Sequence, residues 1–494
     1  MRGQFDGREQ RPARDLWRCF TLLVPLLLPL PAFAATPIGS EFQVNTYTTG
    51  DQDYPAVATG AAGFVVVWQS AGQDGSFAGV FGQRFADTGA RIGSEFQVSA
   101  FTTGSQAAPV VSSDPAGNFV VLWQSPARDG SRTAVIGRRY ASTGAPVGSE
   151  FQVNTYTTNY QQDVAVAADS AGGFVVVWKS VDQDGSGAGV FGQRFASAGA
   201  ALGSEFQINT FTTGDQLDPA VGAHPAGGFV VAWDSSLQDG NRFGIFAQRY
   251  GSTGAPLGTE FQVNTYTTGS QLFPAVTVDS SGRFVIVWQG SDEDGNSDGI
   301  FGQRYASTGM PLGTEFQVNS YTTNVQGIPM VATDAAGGFV AVWRSATEDG
   351  DGGGIFGQRY DSNGAALGSE FRVNAHTAGD QDSPAVAMHP SGEFVVAWSS
   401  TGQDGSDSGV FAQRFTVATP TPTTATPTTT SACTGDCDTN RRVTIDELVL
   451  GVIIALGEQQ PSECPGLDQG ANGRVEVNEL IAAVNNSLTG CPPL

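Results

Sequence analysis

The sequence predicts an all-β protein, a ring of seven four-stranded sheets, followed by a small α-helical C-terminal domain. Three observations predict it. The string Gly-Ser/Thr-Glu-Phe begins at Gly39, Gly93, Gly148, Gly203, Gly258, Gly313 and Gly368, and a tryptophan keeps the same beat at Trp68, Trp123, Trp178, Trp233, Trp288, Trp343 and Trp398. Each unit holds four short strand-like segments and no apolar stripe at helical period, which excludes a helical solenoid. Glycine supplies 65 of the 494 residues, which suits a fold with many tight turns. Four strands per unit is the signature of a propeller blade, and seven units give a seven-bladed β-propeller over residues 36–417.

Each strand of the first unit can be justified in turn. Glu41 to Thr46 alternates apolar and polar residues, as a strand with one wet face does. Pro55 to Ala58 is short and small. Phe64 to Trp68 is apolar without alternation, as for a strand covered on both faces. Val80 to Phe85 is the fourth segment, and Asp74-Gly75 before it is a hairpin turn signal. Blades converge on an axis, so the narrow Pro-Ala-Val-Ala segment is expected innermost. The Trp strand comes next, then Gly-Gln-Arg-Phe, with Glu-Phe-Gln-Val outermost. The repeats therefore begin with an outer strand and end with a third strand, Val410 to Phe415. The first strand is expected to complete the last blade and close the ring, which removes an open sheet edge.

Three polar residues recur in every unit: the Arg84, Asp74 and Gln52 series. Seven copies argue for structure, with Arg linking strands or blades, Asp setting a turn and Gln satisfying backbone groups. Seven shallow sugar sites, or cations held by loops such as Asp292-Glu293-Asp294-Gly295, are the sharper readings. No catalytic motif appears. His224, His376 and His389 fall in different units without partner motifs, and neither a nucleophile elbow, a zinc motif nor a phosphate loop is present. Carboxylates are plentiful, so a paired-acid glycosidase stays open.

Residues 1–34 read as a secretory signal peptide. Five arginines precede an apolar run from Cys19 to Pro31, and Ala32-Phe33-Ala34 supplies small residues for cleavage. The run is short for a membrane span, so the expectation is a secreted, cell-surface or periplasmic protein with no integral membrane segment after cleavage. Asp and Glu number 48 against 24 Lys and Arg, a net charge of −24. Phosphate would repel such a chain, so nucleic acid is not an expected partner.

Residues 418–432 form a Thr/Pro linker. Beyond it, residues 433–494 hold Cys433, Cys437, Cys464 and Cys491. An even count in a small exported module implies two disulfides, with three pairings open. Asp436, Asp438, Asn440, Thr444 and Glu447 place oxygen side chains at loop positions 1, 3, 5, 9 and 12, and Arg442 offers its carbonyl at position 7. That spacing wraps a chain around Ca2+. A helix should follow, with Ile445, Leu448, Val449, Val452, Ile453 and Leu456 on one face. A second loop offers Asp468, Asn472, Arg474, Glu476 and Glu479, and its helix carries Val477, Leu480, Ile481, Val484 and Leu488.

These two loop-helix units resemble a dockerin-like, EF-hand-type calcium-binding domain. Arg441 stands where that family usually has glycine, and Gly470 replaces a ligand at position 3 of the second loop. The resemblance implies calcium and a docking role. In dockerins the partner-facing positions often carry Ser or Thr; here they are Ile445-Asp446 and Val477-Asn478. The first functional expectation is an exported, non-enzymatic binding or scaffold protein with a calcium-stabilised docking module and a monomeric propeller. The alternative is a polysaccharide-active enzyme or carbohydrate-binding component, so a protein or a polysaccharide is the expected partner. Carboxylates unique to one blade, gathered over the central channel, would favour the alternative.

Overall fold

The computed structural model describes residues 35–61, 63–126 and 128–417, and in the C-terminal part 434–437, 442–456, 464, 467, 475 and 477–489. The expected signal peptide and Thr/Pro linker lie outside them, as do Asp438, Asn440, Asp468, Asn472, Arg474, Glu476, Cys433 and Cys491. The chain divides into two compact units, Met1–Ala418 and Thr419–Leu494.

The first unit is the seven-bladed β-propeller. In the first blade Gln52–Gly60, Gly63–Ala71, Ala78–Phe85 and Arg91–Gln97 lie side by side in that order, each antiparallel to the next. The strand carrying Pro-Ala-Val-Ala is innermost, as its size requires. Inner strands of successive blades touch all the way round, and Gln381–Met388 of the last blade meets Gln52–Gly60 of the first.

The unbroken apolar run of the second strand has a direct cause. Val66 and Trp68 pack toward the seventh blade, among Val395, Ala397 and Val410. The alternate residues Val65 and Val67 pack toward Phe119 and Trp123 of the second blade. A strand sandwiched between two blades has no wet face, so neither parity is polar. The seven repeated tryptophans, Trp68 to Trp398, are fully buried. A stacked aromatic pair, such as Phe119 and Tyr140 at 4.8 Å, staples the second and third strands of each blade.

Ring closure follows the expected scheme. Ala35–Gln43 pairs with Ser408–Val417, with Ala35 opposite Val417 and Phe42 opposite Ala412. The strand starts six residues earlier than Glu41 and stops before Thr46. It stops because Asn45 substitutes a side chain for the next backbone rung: its Oδ1 accepts the Val410 N–H at 2.9 Å. Asn154, Asn209, Asn264, Asn319 and Asn374 do the same in other blades. Blades three to six keep outer strands of two residues, such as Phe206–Gln207.

In the second unit, helix Ile445–Ala455 starts at a capping box formed by Thr444 and Glu447, and a second helix spans Val477–Thr489. Cys437 and Cys464 are bonded, with Cα atoms 4.6 Å apart. Val443, Ile454, Cys464, Leu467, Val475 and Ala483 form the small core. The apolar helix faces differ from expectation. Ile445, Val449, Val452 and Leu456 are exposed on the first helix, and Ile481, Val484 and Leu488 on the second. Gly451 and Ile454 face the core instead, because the side of the first helix that meets Leu467 and Leu480 has room for a glycine and little more.

Candidate functional site at the channel mouth

The residues repeated in every blade hold the ring together. Arg84 donates to the carbonyls of Ser142 and Thr143 in the next blade, and Arg194 does the same to Ser252 and Thr253. Asp74 accepts the Ser76 N–H and shapes the hairpin. Gln52 donates to the Thr49 and Gly50 carbonyls. His224 and His389 accept turn N–H groups from Ala226 and Ser391.

The glutamate of the Gly-Ser/Thr-Glu-Phe string is a latch between blades. Glu95 Oε2 accepts the Thr46 N–H at 2.6 Å and its hydroxyl at 2.8 Å. Its other oxygen accepts Gln73 Nε2 at 2.5 Å. Gln183, Gln238 and Gln403 repeat the second contact, and Arg128 replaces it with an ion pair to Glu150 at 3.0 Å. Blades five and six put Glu293 and Glu348 at this position, each against a latch carboxylate, Glu315 and Glu370. Burial, then the hydrogen bond and charge of Glu315, push Glu293 up to about 9. Burial and the Glu370 carboxyl raise Glu348 to about 8, opposed by Ser345. The Asp292–Gly295 run considered for a cation is thus taken up by this latch and by a turn in which Asp294 accepts the Asn296 N–H. Among the described residues no three His, Cys, Asp or Glu side chains gather as a metal-holding group.

The blades differ where their inner strands begin. Each inner strand carries a β-bulge there. The bulged residues are Tyr54, Ala108, Asp163, Asp218, Phe273, Ile328 and Ser383, all at φ between 46° and 55°. None is glycine, although a side chain in the left-handed region costs about 1–2 kcal/mol. The residue after each tryptophan also varies: Gln69, Gln124, Lys179, Asp234, Gln289, Arg344 and Ser399. Gln69 Oε1 accepts the Ala108 N–H of the next blade, and Gln289 Oε1 accepts that of Ile328, both at 3.3 Å. So the two variable positions meet across blade junctions, in a ring around one end of the central channel. Tyr54 and Phe273 are 55% and 41% exposed there, and Leu237, in the hairpin between the second and third strands of the fourth blade, is 62% exposed.

The ring is acidic and uneven. At the junctions of blades three, four and five, Lys179 Nζ pairs with Asp163 Oδ2. Asp218 and Asp234 lie next to them with their carboxyl groups in contact. Asp234 is fully buried, and neither of its oxygens faces a donor of good geometry. Burial first, then the Asp218 carboxylate, drives it well above the usual range; the Phe273 amide offsets this only in part. Burial and the Asp163 charge raise Asp218 to about 6, opposed by Lys179. On the far side, Arg344 pairs with Asp380 at 3.0 Å and Asp382 at 3.5 Å. Asp53 rises to about 6 through burial and the charges of Asp51 and Asp382, while the Ser408 and Ser399 hydroxyls hold it down. None of these mouth residues was singled out from the sequence. The signal was available in the columns where near-identical repeats disagree.

In the C-terminal unit, Asp436 and Glu479 are buried, while Arg442 and Thr444 are exposed. Glu447 Oε1 accepts the Cys437 N–H at 2.8 Å, and Oε2 accepts the Thr444 N–H at 2.7 Å and its hydroxyl at 2.9 Å. The residue at loop position 12 therefore bonds to the residue next to position 1. The remaining expected ligands lie outside the described residues.

No protein-family model matches the sequence, and no curated protein matches it. Solved structures match the chain at low identity. An α-L-arabinanase from Penicillium chrysogenum complexed with arabinobiose is 12% identical, with 63% of this chain and 94% of that one covered at a TM-score of 0.44. The WD40 domain of coronin from Toxoplasma gondii is 9% identical, covering 78% and 87% at 0.47. The propeller domain of the Trilobed protease from Pyrococcus furiosus is 10% identical, covering 72% and 90% at 0.42. At such distances the matches assign no activity.

Proposed function

We propose that the chain is an exported carbohydrate-directed protein whose propeller engages a polysaccharide at the channel mouth. The observation that carries this reading is the ring of seven non-glycine residues at positive φ. A backbone repeated almost unchanged accepts that strain in all seven blades and displays a different side chain at most of them. Strain of this kind persists where the displayed group has a task. Exposed aromatic faces next to carboxylates suit sugars, which offer both C–H faces and hydroxyl groups.

Binding fits the mouth better than hydrolysis. A retaining glycosidase holds its two carboxyls about 5 Å apart, with both able to reach the substrate. Asp218 and Asp234 touch each other, and Asp234 is covered. A glycan array on the chain beginning at residue 35, followed by a hydrolysis assay on every hit, tests the reading. Binding without cleavage, weakened by Tyr54→Ala and Phe273→Ala, is the expected result. Absence of any glycan ligand would sink it.

The C-terminal module is proposed to bind Ca2+ through Asp436, Asp438, Asn440, Thr444, Glu447 and the Arg442 carbonyl. Glu447 supports this, because it ties the end of the loop to its start. The ion would cross-link the loop and add stability to the folded module. Calorimetric titration of the whole chain should show a calcium event that Asp436→Ala removes and Asp468→Ala leaves nearly intact, since Gly470 deprives the second loop of a ligand. No calcium uptake by the unmodified chain refutes the assignment. The exposed stripe of Ile445, Val449, Val452 and Leu456 is the proposed docking face for a protein partner.

A further inference from the structure

The channel mouth contains one buried carboxyl group to which the ring gives no hydrogen bond of good geometry. In the other blades the residue after tryptophan is amide, cationic or hydroxyl-bearing; in the fourth it is Asp234, fully buried, with neither oxygen in a hydrogen bond of good geometry. Placing a carboxylate there is costly unless something compensates it. The groups facing it are Asp218, Asp163 and the Phe273 amide, and those facing Asp218 are Asp163, Lys179 and Asp234.

Charge counting narrows the compensating group. Lys179, the single lysine of the chain, already neutralises Asp163. Burial, then the Asp218 carboxyl, favours the protonated form of Asp234, which can donate a hydrogen bond to Asp218. Asp218 is ionised above about pH 6. The cluster therefore carries at least one uncompensated negative charge, on the partly exposed Asp218. One monovalent cation completes it. Lys179 shows that this corner accepts a primary ammonium between carboxylates. Phe273, whose amide faces Asp234 and whose side chain is partly exposed, supplies apolar surface at that junction. An ammonium directly attached to a sugar ring meets both demands at once, with three N–H donors for carboxylate oxygens and a ring face for Phe273.

We infer that the mouth between blades three, four and five takes a glycan bearing a free amino group, the ammonium seated on Asp218 with Asp234 behind it. Asp218 is the binding residue, and Asp234 positions it. The inference rests on the glycan reading above and names its substrate class.

The test compares two trimers on the whole chain by calorimetry at pH 7 and about 0.15 M salt: a glucosamine trimer and its fully N-acetylated counterpart. The free amine should bind roughly ten- to a hundredfold more tightly, the range of one charge-assisted contact. Asp218→Asn should abolish the difference. Asp407→Asn, an exposed acid away from the cluster, should preserve it, which separates a seated amine from general attraction to an acidic protein. Thermal unfolding of both variants checks that they are folded. Equal binding of the two trimers, or a preference that survives Asp218→Asn, overturns the inference and leaves the glycan reading intact. Another glycan binding while both trimers fail also overturns it. Failure of every glycan overturns the reading itself.

Discussion

The outer latch and the channel mouth are both rings of seven, built on the same repeat, and they behave in opposite ways. At the latch the carboxylate never changes, and its partner is an N–H donor in five blades out of seven. At the mouth the backbone never changes, and the side chain does. Repetition of a side chain marks a position where it serves the ring. Repetition of a strained backbone under differing side chains marks a position where the ring serves something else. Blades five and six blur the contrast, since Glu293 and Glu348 bring chemical disagreement into the latch itself.

The largest expected effect tests the ring as a whole. Removing residues 35–43 deletes the outer strand of the seventh blade, which exposes the Ser408–Val417 edge and breaks the Glu41 latch to Ala375. Aggregation, or a fall in melting temperature of more than about 10 °C, is expected, because an unpaired edge invites pairing with other chains. Unchanged melting would mean that the other six junctions suffice to hold the blades.

A smaller effect addresses the exception. Glu293→Gln with Glu348→Gln restores the donor found in most other blades. An acid whose folded pKa is raised binds its proton more tightly when folded, so it stabilises at low pH and loses that contribution as pH climbs toward the folded value. For Glu293 the window runs from about 4.5 to about 9, and for Glu348 from about 4.5 to about 8. The double variant should therefore match the parent near pH 4.5 and melt a few degrees higher at pH 8. Both side chains are partly exposed, so solvent screening keeps the gain modest. Identical melting curves across that range would show that the pairs are relaxed by solvent.

Much of this architecture was legible because a repeat multiplies its own signal. The blade count, the strand order and the closure by the N-terminal strand follow from Trp68 and its six copies and from Phe415 ending on a third strand. The strand limits were not legible, because Asn45 ends the ladder with a side-chain bond that no propensity reveals. The mouth was missed for a similar reason. Tyr54 precedes proline, which ordinarily argues for extended backbone, whereas the bulge holds it at φ 52°. The helix faces of the C-terminal module misled because Ile445 and Leu456 are as apolar as core residues; Gly451, with no side chain to announce itself, marks the packed side.

The smallest expected effect bears most directly on the comparison. Tyr54 lies in the left-handed region with more than half of its surface exposed, so its side chain contributes little packing. Glycine removes the clash between Cβ and the neighbouring carbonyl, which is worth about 1 kcal/mol, though it also loosens the unfolded chain and returns part of that gain. Tyr54→Gly should therefore leave stability unchanged or raise it by up to about 1 kcal/mol, while lowering glycan affinity. Phe273→Gly should follow the same pattern, with an added loss of preference for a free amine, because Phe273 stands at the junction where its amide faces Asp234. Denaturant unfolding and glycan titration on the same preparations separate the two quantities. A stability loss in both variants would mean that these side chains support the ring, as the latch does, and that the mouth is one more structural repeat. Stability retained with affinity lost is the pattern of a position held under strain for its ligand.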